Sequence, residues 1–135
     1  MQQEKYLDKS QSLTIGLKKS APAAFLILLA AVTYLSLTPI SHQVSEISWD
    51  KLNHLAAYVC LGVLADMAFL TGSRFFAKLW LLLGYSVLIE MAQHVIPNRY
   101  FSGFDIFANT LGLCLAFGIL QIIQKTAFYQ YLKTR

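Results

Sequence analysis

Four stretches of the chain are apolar over the length of a bilayer-crossing helix, and short polar stretches separate them. The first runs from about residue 21 to 40, with AAFLILLAAVTYLSLTP at its core. It should end at Pro39, which has no N–H to donate to a helix ladder. The others run from about 52 to 70, 76 to 96 and 104 to 123. Residues 1–20 form a polar tail able to fold as an interfacial helix, and residues 124–135 form a second, basic and aromatic tail. A signal peptide competes for the first stretch, because Lys18 and Lys19 precede it. The run is long for a signal sequence and no A-x-A-like cleavage site follows, so a retained span is expected. The pattern predicts an all-α protein with four transmembrane helices in an antiparallel bundle.

Composition strengthens that reading. Of 135 residues, 56% are hydrophobic and only 13% charged, about half the usual share of a soluble domain. Mean hydropathy is +0.52. The net charge of +4 does not point to nucleic acid, since the Lys and Arg residues form no single patch. They mark topology instead: four Lys in the first tail, Arg74 and Lys78 in the 71–78 turn, and Lys125, Lys133 and Arg135 in the last tail. The positive-inside rule puts both termini and this turn in the cytoplasm. Loops 41–53 and 97–103 then face outward, with Trp49 as an interfacial anchor. Cys60 and Cys114 lie far apart inside apolar runs and are expected to be buried, inert thiols.

Against this background the polar residues inside the spans stand out, because a charge there costs about 2.5 kcal/mol or more. Glu90, Gln93 and Pro97 share one face of the third helix, and Asp105, Asn109 and Gly112 share one face of the fourth. His54 and Tyr58 lie one turn apart on the second, behind Asp50 and Lys51. Glu90 comes roughly 10 Å below the outer end of its helix, and Asn109 about 6 Å into its own from Asp105. The polar groups of three spans thus fall at a common depth, which predicts one polar pocket opening outward.

Several chemistries fit such a pocket. Arg99 and Lys51 at its mouth could clamp a phosphate or carboxylate, or simply pair with Glu90. Glu90 and His54 are the candidates for acid–base catalysis. Asp105 and Asn109 could also cap the start of the fourth helix. A metal set can be drawn from Glu90, His94, His54 and Asp105, but no established ligand spacing supports it, so no metal or other cofactor is assigned. Asp66, near the cytoplasmic end, should pair with Lys78 or Arg74 and stay outside the pocket. No activated nucleophile, Gly-rich phosphate loop or nucleic-acid module is present.

Asp50-Lys51-x-x-His54 with Tyr58 one turn on, then Glu90-x-x-Gln93-x-x-x-Pro97-x-Arg99, then Ser102, Asp105, Asn109 and Gly112, resembles the motif order of the VanZ-like membrane proteins. The resemblance covers roughly residues 25–123. It implies a small four-helix integral protein of the bacterial inner membrane. The family's named member is associated with teicoplanin resistance. One departure is Ala116, where the family tends to carry a second glycine; Gly112-x-x-x-Ala116 still permits close helix contact.

The expected function is an accessory binder. Asp50, Lys51, His54, Glu90, Gln93, Arg99, Asp105 and Asn109 would engage an anionic membrane lipid or lipid-linked envelope precursor. The alternative is a membrane-embedded enzyme using Glu90 and His54 on a lipid phosphate or ester. A homo-oligomer is compatible with either.

Overall fold

The computed structural model describes residues 2–39, 47–69, 75–97 and 99–123. Expectations resting on Arg74, the loop 41–46, the last tail, and the side chains of Trp49 and residues 1–15 fall outside the described residues.

Four helices make up the described chain: α1 (Gln2–Leu37), α2 (Ile47–Ala68), α3 (Phe75–Gln93) and α4 (Gly103–Ile123). The helix α1 continues without a break from the polar first tail, through Pro22, into the apolar stretch. It stops two residues before Pro39, as expected where the residue preceding a proline is pushed out of the α region. The end of α3 comes at Gln93, three residues earlier than the apolar pattern suggested. There Val95 N–H donates to the Ala92 carbonyl and Ile96 N–H to that of Gln93, closing a tight turn ahead of Pro97. The Ser102 carbonyl accepts from the N–H groups of Asp105 and Ile106, which makes Ser102 the residue that opens α4.

Three helical stretches are long and apolar enough to cross a membrane: Lys19–Leu37, Phe76–Gln93 and Gly103–Ile123. The helix α2 is not among them, because Asp50, Lys51, His54 and Asp66 dilute its apolar residues. The distribution of side chains is also inverted relative to a protein folded in water. Trp80, Leu81, Leu88 and Phe107 are exposed, while Ser86, Glu90, Gln93 and Asn109 are almost wholly buried. An apolar exterior around a polar interior is what a bilayer stabilises.

The helix α2 contacts each of the other three. The helix α2 packs chiefly on α4 and then on α1. Small residues allow that approach: a Cβ on Gly62 would come within 2.7 Å of the Ala116 Cβ. Gly112 is tighter still, against the Leu55 carbonyl and Tyr58. This is the close contact that Gly112 and Ala116 suggested, made across α2 and α4. Tyr58, Leu61, Ala65, Leu82 and Leu113 form the apolar core beside it. Between α1 and α3, the hydroxyls of Thr33 and Tyr85 meet at 2.7 Å.

Asp66 pairs with Lys78 at 3.0 Å, both side chains nearly buried, so the expected partner is found. The two cysteines correct an expectation: Cys60 and Cys114 are both exposed. Apolar flanks identified a hydrophobic segment, but in a segment of this kind much of the surface faces outward.

Candidate functional site

The close approach of α2 and α4 carries the first turns of both helices to one end of the bundle, beside the last turns of α1 and α3. There the buried polar residues converge. His54 Nδ1 lies 3.1 Å from Asn109 Oδ1. The amide nitrogen of Asn109 donates to Ser86 Oγ at 2.7 Å. Tyr58, on α2, is 1% exposed and packs in the core beside them. A chain of polar contacts therefore crosses from α2 through α4 to α3 with none of its members in contact with solvent over much of its surface.

This chain also fixes orientations. Asn109 gives its N–H to Ser86, so its oxygen faces His54 and favours a proton on Nδ1. The lone pair of a neutral His54 is then left on Nε2.

Glu90 is fully buried. Its Oε2 accepts from the Ser102 N–H at 3.2 Å, which links the end of α3 to the start of α4. Its Oε1 is enclosed and has no hydrogen-bond partner. Asp105, in the first turn of α4, has an enclosed Oδ1 that is likewise without a hydrogen bond. Lys51 Nζ approaches that oxygen only to 3.8 Å. Ligand-capable atoms of Asp50, His54 and Asp105 all lie within 4.8 Å of one another.

Two of the residues expected at the pocket are turned elsewhere. Gln93 donates to the Ser36 carbonyl at 2.9 Å, fastening α3 to the last turn of α1. Arg99 donates from Nε to the Thr38 carbonyl at 3.2 Å and from a terminal nitrogen to the Leu35 carbonyl at 2.8 Å. In this structure the Arg99 guanidinium serves the end of α1. The last carbonyls of α1 have no helical donors, and they carry the negative end of its dipole, so a guanidinium fork suits them well. The Glu90–Arg99 pairing considered from sequence gives way to the same geometry. His94, drawn into a metal set by its spacing from Glu90, is exposed.

Lys51 remains as the cation of the site. Its side chain is 36% exposed, and its Nζ stands 5.9 Å from the centre of the Phe104 ring. Beside it an apolar groove is lined by Gly103, Phe104 and Phe107. Phe104 and Phe107 are largely exposed.

Ser86 was the residue that sequence reasoning missed. It stands four positions before Glu90, so the helical spacing that grouped Glu90 with Gln93 extends to it. Ser102 was recognised as part of a motif, but its backbone N–H, which carries the contact to Glu90, has no signature in side-chain identity.

Residues 8–124 match the family model for VanZ/LLP1. Comparison with curated proteins and with solved structures returned no match.

Proposed function

We propose, since the chain belongs to the VanZ/LLP1 family, that it is a multi-pass protein of the bacterial inner membrane that receives the headgroup of an anionic lipid or lipid-linked envelope precursor. In this reading α2 is the fourth span. Its buried His54 and Asp66 meet partners on α4 and α3, which offsets part of the cost that lowers its apolar character. Both termini lie in the cytoplasm and the polar cluster faces outward, in accord with the distribution of Lys and Arg.

The observation that carries the proposal is the junction at Lys51. An accessible ammonium stands between a buried polar cluster and an exposed apolar groove at Phe104 and Phe107. A lipid has the same division: an anionic head for the lysine and a chain for the groove. Arg99 is left out of this contact because its donors serve α1. Gln93 likewise acts by holding the helices that frame the site. Any contribution to glycopeptide resistance would follow from such binding at the level of the family.

Native mass spectrometry of the purified protein tests this. Retention of phosphatidylglycerol over phosphatidylethanolamine is expected, and Lys51→Gln should reduce that preference. Equal retention of the two lipids, or a preference unaltered by the substitution, overturns the reading. Turnover of a lipid phosphate or ester by the parent, lost in Glu90→Gln, would replace it with the enzyme reading.

A further inference from the structure

The polar cluster contains more negative charge than its neighbours balance. Asp50 of α2 and Asp105 of α4 come together beside His54, with Lys51 as the nearby ammonium. Two oxygens of the cluster, Asp105 Oδ1 and Glu90 Oε1, are sealed from solvent and receive no hydrogen bond. Glu90 is 0% exposed and Asp105 7%, so water does not relieve them from outside. An ionised carboxylate in such a place is costly unless it is paired or coordinates a cation. Lys51 does not meet this need. It is 3.8 Å from Asp105, outside hydrogen-bonding distance, and its head is shared with the Phe104 ring.

We propose that Asp50, His54 and Asp105 bind a divalent cation. Two ligands on opposite sides of an ion with bonds of about 2.0–2.5 Å are separated by about 4–5 Å. Separations within 4.8 Å therefore let all three atoms reach one ion with little movement. The donor set of imidazole and carboxylates suits Zn²⁺ or Mn²⁺ better than an all-oxygen site would. Asn109 supplies the support such a histidine commonly has: its carbonyl holds the Nδ1 proton and sets the ring, while Ser86 holds the amide. Sequence spacing did not reveal the set because Asp50 and His54 come from α2 and Asp105 from α4. The spacing between Glu90 and His94 drew attention to a pair that does not share the site.

The cation would offset the charge of the two aspartates and leave Lys51 free to face outward. Its binding needs no lipid, so it is tested separately from the lipid proposal. The full-length protein, in uncharged detergent and stripped with a chelator, is titrated with Zn²⁺ by calorimetry and with Mn²⁺ by electron paramagnetic resonance. One equivalent per chain is expected. Asp50→Asn, at a half-exposed position that leaves the packing intact, should weaken binding at least tenfold, and His54→Gln should do the same. His94→Ala, at an exposed imidazole, should leave it unchanged. Absence of stoichiometric binding by the folded parent overturns the proposal. So does binding that survives both Asp50→Asn and His54→Gln, or that is lost in His94→Ala.

Discussion

Gly112 on α4 faces the Leu55 carbonyl on α2 so closely that a Cβ at residue 112 would stand 2.5 Å from that oxygen. The same Cβ would be 3.1 Å from the Cβ of Tyr58 and 3.2 Å from the Val59 nitrogen. Backbone on the far side cannot yield as a flexible side chain would. Gly112→Ala should therefore force the two helices apart and cost about 1–3 kcal/mol. Gly84 provides the comparison, since nothing lies within 4 Å of a Cβ there. Gly84→Ala should be neutral or stabilise by about 0.5–1 kcal/mol through helix propensity. Thermal unfolding in detergent reads both. Equal melting temperatures for the two variants would show that the helices do not depend on this approach.

Arg99 ties the loop before α4 to the end of α1. Arg99→Ala removes both donors from the Leu35 and Thr38 carbonyls, and should loosen the last turn of α1 by about 1 kcal/mol. Amide exchange in that turn should speed up by roughly fivefold. Arg99→Lys should recover little, because an ammonium cannot reproduce the planar fork. Full recovery in the lysine variant would reduce the interaction to simple charge.

At the opposite end of α2, the Asp66–Lys78 pair is nearly buried on both sides. Removing one partner takes away the opposite charge that stands 3.0 Å from the other. Asp66→Leu or Lys78→Leu alone should destabilise by about 3–5 kcal/mol, while the double substitution should recover most of the loss. A double-mutant cycle on melting measures the coupling, and purely additive losses would mean that the pair does not act as a unit.

Much of the fold is legible in the sequence for one reason: apolar runs of spanning length leave few alternatives. The boundaries were less clear where the turn chemistry acts. Val95 and Ile96 extend the apolar pattern, yet α3 has ended at Gln93. The buried polar face was visible in Glu90, Asp105, Asn109 and His54, because each is costly in a span and all fall at one depth. Their partners were not visible. Gln93 and Arg99 bind carbonyls of α1, and a carbonyl offers the same acceptor whatever residue bears it. Cys60 and Cys114 show the converse limit, since apolar flanks do not reveal which face of a helix meets lipid.

The polarity of α2 also bears on how the chain assembles. This segment carries Asp50, Lys51, His54 and Asp66, and the surface that accepts it belongs mostly to α4. On the ribosome α2 is made before α4 exists, so early in synthesis it has little apolar reason to leave the translocation machinery for lipid. Its settled place would come with the last helix, making biogenesis of this small protein a concerted event and not a stepwise threading of independent segments.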